Sequence, residues 1–228
     1  MQAIVVQTFI EAPPQQVWRA VFERSDVLFD GLPADEWPPE TERQEPVHAH
    51  APWPWTERAG GPTEVQLTLQ DMNGATRLDV RHQGWGEGPS WDAAIQGHFA
   101  GWLQGVAALG LMVETGRDER AGSAELAQRE RYFVSGEIPG PPESVYRALV
   151  DPTIRKLWSN TTMNGLTLSD FIESRFARFT TGNGGEVTAI LRRTPRGTHL
   201  AIAEYGVADR TASQRWPAMF EALAKYLS

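Results

Sequence analysis

The sequence contains no cysteine, which excludes disulfide bonds, thiolate metal sites and cysteine nucleophiles. It also lacks any stretch approaching the roughly 20 consecutive apolar residues that span a bilayer. The amino terminus leads directly into a strand pattern without a basic leader segment. We therefore expect no membrane span and a cytoplasmic location. The hydrophobic fraction of 41% is that of an ordinary globular protein.

Positive charge is scarce in the first part of the chain. Residues 1–128 contain 8 lysines and arginines against 19 aspartates and glutamates, whereas residues 129–228 contain 13 against 10. Because phosphate binding needs clustered cations, we expect no nucleic-acid partner. The opposite net charges of the two parts could help them dock on each other, or could reflect drift of solvated surface charge.

The chain does contain an internal repeat. Three segments recur in the same order, at offsets that fall from 128 to 122 to 114 residues. The second copy is thus a shortened version of the first, and function has to be assigned copy by copy. The paired segments are 13–21 with 141–149, 76–84 with 198–206, and Trp102 with Trp216, each tryptophan being followed seven residues later by a leucine.

The repeat predicts two domains separated by a linker. Residues 117–128 are mainly small and polar, which is typical of a connecting segment. We therefore place a first domain at 1–116, the linker at 117–128 and the second, shortened domain at 129–228.

Hydrophobic periodicity predicts the elements of the first copy. A strand precedes a short helix that begins at Pro13-Pro14, and the proline-rich middle predicts strands at about 42–50 and 53–58. Asn73-Gly74 indicates a hairpin between two further strands. A long helix with one buried stripe closes the copy. Its several glycines suggest either close approach of another surface or weak selection on helix stability. The stripe is Trp91, Ile95, Phe99, Trp102, Val106, Leu109 and Val113.

The second copy repeats this order. We expect a strand at about 130–138, two short helices, and two or three strands within 166–180. A hairpin and a closing helix that carries Trp216 complete it. The remaining predicted ranges are 142–149 and 153–157 for the helices, and 186–192 and 198–206 for the hairpin strands.

This order of elements is that of the helix-grip fold. We therefore predict an α+β protein with two helix-grip domains, each a curved antiparallel sheet wrapped around a long carboxy-terminal helix. The space between the sheet and that helix is suited to a small apolar ligand.

Several short segments carry a family resemblance. They are Ile10–Trp18, Gly74–Trp85 and Gly101–Leu109 in the first copy, and Asp151-Pro152 followed by Leu157-Trp158 in the second. With them the chain resembles the START-like (SRPBCC) superfamily, and within it the family named for the activator of the 90-kDa heat-shock protein ATPase. The resemblance implies the helix-grip fold. It leaves function open, because the superfamily includes lipid carriers, receptors, cyclases and co-chaperones.

Histidine and aromatic residues of the first copy are the candidate site. His82 continues the inward face of its strand, and His98 lies near the edge of the helix stripe. Together they could orient a polar group of a ligand or act as an acid–base pair, or each could simply bond to a neighbouring group. We expect Trp53 and Trp55 at a rim or partner surface. The predicted ligand-binding residues are His82, His98, Phe99, Trp102, Trp85, Trp53 and Trp55.

Two further histidines of the first copy, His48 and His50, could bind a metal ion. His48 and His50 are two residues apart on a predicted strand, so their side chains share a face and could ligate one metal ion. A third ligand at a fixed spacing is missing from the sequence. We therefore predict no metal site. We also predict no catalytic residue, because no nucleophile or carboxylate in the sequence has a recognisable partner, and no cofactor.

The predicted function is non-catalytic binding of a small apolar or aromatic molecule, with the larger cavity in the first copy. Three alternatives remain open. The chain could be a co-chaperone-like protein that interacts with a 90-kDa heat-shock chaperone. It could be a cyclase- or dehydratase-like enzyme for a polyketide or aromatic substrate. It could also be a structural protein with two filled cores.

Overall fold

The computed structural model describes residues 3–29, 37–54, 60–118, 131–159, 163, 165–182, 184–205 and 212–228. The chain divides into two compact units, Met1–Asp118 and Glu119–Ser228, called unit 1 and unit 2 below. Within the described ranges, none of the helices is both long enough and apolar enough to cross a membrane.

The described residues of unit 1 form a five-stranded antiparallel sheet, in the order β1-β5-β4-β3-β2, and three helices. In chain order the elements are β1 (Ile4–Ile10), α1 (Pro14–Glu23), α2 (Ser25–Leu28), β2 (Glu42–Gln44), β3 (His48–Trp53), β4 (Thr63–Asp71), β5 (Thr76–Gln83) and α3 (Pro89–Thr115).

The described residues of unit 2 likewise form five strands and three helices, with the strand order β6-β10-β9-β8-β7. Its elements are β6 (Arg131–Ile138), α4 (Pro142–Val150), α5 (Pro152–Trp158), β7 (Thr167–Ile172), β8 (Phe176–Thr180), β9 (Glu186–Thr194), β10 (Gly197–Tyr205) and α6 (Ala212–Leu227).

The two sheets are equivalent in order and in register. Leu67 pairs with Val80 in the β4–β5 hairpin, and the residues 122 positions later, Ala189 and Ile202, pair in the β9–β10 hairpin. The first strands of the two sheets follow the 128-residue offset, since Ile10 pairs with Thr76 and Ile138 pairs with Thr198. The predicted equivalence of the two hairpins is thereby confirmed, as is the predicted α+β class with two antiparallel helix-grip sheets.

Side-chain alternation explains which sheet face is buried in unit 1. In β1, β4 and β5 every second residue is buried, and most of these residues are apolar. Helix α1 adds Val17, Trp18, Val21 and Phe22 to the same core. The sheet, α1 and the second half of α3 therefore enclose the core of unit 1.

Prolines and caps set the helix starts. Helices α1, α3, α4 and α5 all have proline in the first turn, where the missing N–H has no partner to lose. Asp151 also caps α5, since its carboxylate accepts hydrogen bonds from the backbone N–H groups of Thr153 and Ile154. The Asp151-Pro152 pair thus marks the start of a helix.

The middle of unit 1 differs from the prediction. The single strand expected at 42–50 is two strands, Glu42–Gln44 and His48–Trp53, because a turn containing Pro46 interrupts it. Proline has no N–H to donate to the ladder, which favours a break at this position. The strand predicted at 53–58 is wrong at its start, since Trp53 ends β3, and 55–59 lie outside the described residues.

Two glycines of α3 mark close approach of another segment. A Cβ atom added to Gly105 would lie 1.6 Å from the carbonyl oxygen of Leu28, which ends α2. One added to Gly101 would lie 3.2 Å from the ring of Phe29. Gly97 has open space around it instead. The end of α2 therefore packs directly on the α3 backbone.

The predicted buried stripe of α3 is only half right. Most side chains from Trp102 to Leu111 are buried, whereas none of the described side chains from Pro89 to Gly101 is. Trp91 and Ile95 are half-buried and Phe99 is 44% exposed. Periodicity identified the apolar face correctly, but the unit 1 core covers that face only from Trp102 onward.

Candidate functional site

Seven linked aromatic rings of unit 1 form what we call the aromatic cluster; three further rings, those of Trp37, Phe22 and Trp18, extend the ring contacts from Trp53. Neighbouring ring centroids in it lie between 4.2 and 6.2 Å apart. The rings come from the end of α2, the end of β3, the end of β5 with the loop after it, and α3. The cluster consists of Phe29, Trp53, His82, Trp85, Trp91, His98 and Trp102.

His82 lies inside the cluster with both ring nitrogens hydrogen-bonded. Nε1 of Trp102 lies 3.1 Å from Nδ1, and the hydroxyl oxygen of Thr63 lies 2.5 Å from Nε2. Because an indole N–H can only donate, Nδ1 is the acceptor and carries no proton. Neutral His82 therefore holds its proton on Nε2 and donates it to Thr63. Neither nitrogen is left for a ligand.

Burial keeps His82 neutral. Its side chain is fully buried, and desolvation lowers its pKa from 6.5 to about 3, with a smaller contribution from neighbouring His98. Both effects disfavour the charged imidazolium. His82 is therefore a poor proton acceptor at neutral pH.

His98 has the opposite arrangement of protons. Its Nδ1 lies 2.9 Å from the carbonyl oxygen of Ala94, one turn earlier in α3. A carbonyl can only accept, so Nδ1 carries the proton. Nε2, on the ring edge farther from the helix backbone, is then an unprotonated acceptor. Burial lowers the pKa of His98, although its bond to Ala94 partly opposes that effect.

The cluster runs from the core to the surface. Trp53 and Trp102 are fully buried, and Trp85 is nearly so, with its indole N–H donating to the carbonyl oxygen of His82. Phe29 and His98, like Trp91, are only half-buried. The rings of Phe29 and His98 stack with centroids 5.5 Å apart. An apolar, ring-lined surface therefore opens beside the first half of α3.

Glycines allow Trp91 to close one side of this surface. A Cβ atom on Gly86 would lie 2.3 Å from Nε1 of Trp91, and one on Gly60 would lie 2.9 Å from the same ring. Real Cβ atoms do not approach other atoms that closely, so the indole can lie against both backbones only because these residues are glycine.

Not every predicted site residue joins the cluster as expected. Trp53 was predicted at a rim and is instead fully buried, because it ends β3 on the inward side of the strand. Phe99 was predicted to face the interior and is instead exposed, because the first half of α3 extends beyond the packed core. Trp55 lies outside the described residues. His82, Trp85, His98 and Trp102 do come together.

The two histidines of β3 lie apart from the aromatic cluster. Nε2 of His50 lies 3.6 Å from a carboxylate oxygen of Glu64 on the neighbouring strand. Within the described ranges, no group of three or more histidine, aspartate or glutamate side chains lies close enough together to hold a metal ion.

Sequence reasoning missed Phe29 and Thr63 as members of the site, and it placed Trp91 only in the buried stripe of α3. Phe29 follows a four-residue helix that no periodicity can reveal, yet its ring contacts Trp53, His98 and Trp102. Thr63 begins β4, and its bond to His82 depends on a strand pairing that is distant in sequence. The only available signal for Thr63 was its place on the inward face of the strand with Val65 and Leu67.

Unit 2 fills the corresponding position with charge. Glu204 stands 122 residues after His82 and accepts the indole N–H of Trp216 at 2.5 Å. Arg215, at the position of Gly101, donates to both carboxylate oxygens of Glu204 at 2.6 Å. The tryptophan–polar contact is thus kept in both units, but unit 2 has an ion pair where unit 1 has a neutral histidine beside Phe29.

Comparisons with known proteins give matches to solved structures alone. No family model and no curated protein matches the sequence. DynU16, a protein of the dynemicin biosynthetic locus, matches with 18% identity over 100% of this chain and 96% of its own, with a TM-score of 0.44. A Mesorhizobium loti protein matches with 22% identity over 43% of this chain and 96% of its own, with a TM-score of 0.38. An AHSA1-like protein from Aeromonas hydrophila matches with 15% identity over 43% of this chain and 92% of its own, with a TM-score of 0.37.

The fold itself is read from the chain's own strand order and register. In the described part of each unit, a five-stranded antiparallel sheet is joined by two short helices after its first strand and a long helix at its end. The chain is a tandem of two helix-grip units.

Proposed function

We propose that unit 1 binds a small apolar or aromatic molecule against the half-buried rings of the aromatic cluster. The observation that supports this most is the gradient of burial, from Trp53 and Trp102 in the core to Phe29, Trp91 and His98 at the surface. Aromatic side chains with a few polar groups among them are typical of small-molecule sites. Trp53, Trp102 and His82 would form the floor of the site.

The state of His82 favours binding over acid–base catalysis. An enzyme that used His82 and His98 as a pair would need one of them to take a proton near neutral pH. Both nitrogens of His82 are already bonded and its pKa is about 3, so it is unsuited to that role. Burial also lowers the pKa of His98, which disfavours its taking up a proton near neutral pH. The chaperone alternative rests on the sequence resemblance, and stimulation of a 90-kDa chaperone's ATPase by the purified chain would be its test.

Binding can be tested with N-phenyl-1-naphthylamine, an uncharged aromatic probe whose fluorescence rises in apolar surroundings. We expect one site per chain. Trp91→Ala removes a half-buried ring and should weaken binding by roughly threefold to tenfold, the value of one aromatic contact. Phe171→Ala is the matched control, because it removes a 56% exposed ring from β7 of unit 2. Absence of binding, or equal loss in both variants, would contradict the proposal.

A further inference from the structure

His98 and His82 are neighbouring histidines with opposite tautomers. Their ring centroids lie 5.2 Å apart. His82 has its proton on Nε2 and both nitrogens bonded, whereas His98 has its proton on Nδ1, which donates to Ala94. No described residue bonds Nε2 of His98. That nitrogen is therefore a fixed acceptor, because releasing the proton from Nδ1 would break the bond to the helix.

The surroundings of this acceptor are apolar. The rings of Phe29, His82 and Trp85 lie within 5.5 Å of the His98 ring, centroid to centroid. The ring is half-buried, so a molecule seated on the aromatic cluster can reach it. Since burial lowers the pKa of His98, the site offers a neutral acceptor at neutral pH rather than a positive charge.

We propose that the ligand of unit 1 is an uncharged aromatic molecule that carries a hydroxyl or N–H donor, and that Nε2 of His98 accepts this hydrogen bond. The inference rests on the proposed function and deepens it. A carboxylate would find no proton on Nε2. A hydrocarbon would displace water from that nitrogen without replacing its hydrogen bond, which disfavours its binding.

Two compounds of similar size distinguish the contribution of the hydrogen-bond donor from that of the aromatic rings. 2-Naphthol has a hydroxyl donor, and 2-methoxynaphthalene has the same rings and oxygen without the donor. Calorimetric titration of the full chain should show naphthol binding about 3- to 10-fold more tightly than the ether, as expected for one hydrogen bond. His98→Phe should remove this preference by weakening naphthol alone. His98→Gln, whose side-chain oxygen can accept, should restore part of it.

A second measurement does not depend on any variant. In long-range ¹H–¹⁵N spectra of the wild-type chain, the unprotonated Nε2 of His98 should shift on addition of naphthol and not of the ether. Equal affinity for both compounds, an unchanged preference in His98→Phe, or tighter binding of 2-naphthoate would overturn the inference while leaving the proposed function in place. Binding of none of the compounds would overturn both.

Discussion

The indole N–H of Trp102 donates to Nδ1 of His82 at 3.1 Å, and this bond joins α3 to the sheet. Unit 2 makes the same connection between Trp216 and Glu204 at 2.5 Å. The tryptophans are 114 residues apart and their acceptors 122. Because the donor is the same and the acceptor differs, the two units keep one way of attaching the closing helix while their interiors differ in charge.

Acid should destabilise unit 1 through His82. A histidine whose pKa is lower in the folded state takes up its proton only on unfolding. The stability that neutral His82 contributes is therefore complete above its ordinary pKa of 6.5 and is lost as the pH falls toward about 3. In this range the unfolding free energy falls by about 1.4 kcal/mol per pH unit for one such group.

The variant His82→Gln tests this pH dependence, since glutamine can still accept from Trp102 and donate to Thr63 but does not titrate. Between pH 6.5 and pH 5 its unfolding free energy should fall by about 2 kcal/mol less than that of the wild type. Urea unfolding followed by tryptophan fluorescence reports mainly on unit 1, which holds seven of the nine tryptophans. His50→Gln is the control. If the unfolding free energy falls equally with pH in the wild type and both variants, the role of His82 is refuted.

Trp102 and Trp216 should be stability determinants of their units. Both side chains are essentially fully buried, as predicted from their places on the helix stripes. Replacing either by alanine should lower the unfolding free energy by about 3–5 kcal/mol, through lost contacts, a cavity and an unpaired acceptor. Trp91→Ala, at a half-buried position on the same helix as Trp102, should cost clearly less. Losses below about 1 kcal/mol at both buried positions would contradict this.

Alanine should have opposite effects at two glycines of α3. At Gly105 its Cβ would collide with the carbonyl oxygen of Leu28, so we expect a loss of about 3 kcal/mol or more. At Gly97 the space is open and alanine has the higher helix propensity, so we expect a gain of about 0.5–1 kcal/mol. Thermal unfolding of the two variants compares them directly. A stable Gly105→Ala protein would show that α2 does not pack there as described.

Gln104 is a buried polar residue on α3. It is 1% exposed, and among the described residues neither its amide oxygen nor its amide nitrogen has a hydrogen-bond partner. Replacement by leucine should therefore raise the unfolding free energy by about 1–3 kcal/mol, since an unpaired buried amide is costly. The exposed Gln96→Leu is the control, expected within about 0.5 kcal/mol of wild type. Destabilisation by Gln104→Leu would indicate that the amide has an unrecognised partner.

The sequence predicted the fold better than the site. Offsets between repeats were enough to match Leu67 with Ala189 and Trp102 with Trp216, because a duplicated chain keeps its pattern of side-chain burial. Periodicity could not show where the sheet stops covering α3, and that boundary decides whether Phe99 is buried or exposed. Such limits depend on loop lengths and element packing rather than on local pattern.

Contacts between residues that are distant in sequence account for the features of the site that the sequence did not predict. Thr63 and His82 are 19 residues apart, and Leu28 and Gly105 approach through backbone atoms that no side-chain pattern encodes. The tautomer of His98 likewise follows from a single carbonyl, that of Ala94. Residue types identified the candidates for the site, but three-dimensional packing decided which of them had a polar atom that no described residue bonds.

The unequal burial of α3 has a consequence for amide hydrogen exchange. Between Trp102 and Leu111 the helix can expose its N–H groups only when unit 1 loses its core, so these amides should exchange at the rate of global unfolding. Between Pro89 and Gly101 the helix can open by itself, helped by Gly97 and Gly101. A ligand held between Trp91 and His98 would slow exchange in this first half and leave the second half unchanged, so the site could be located without any knowledge of what fills it.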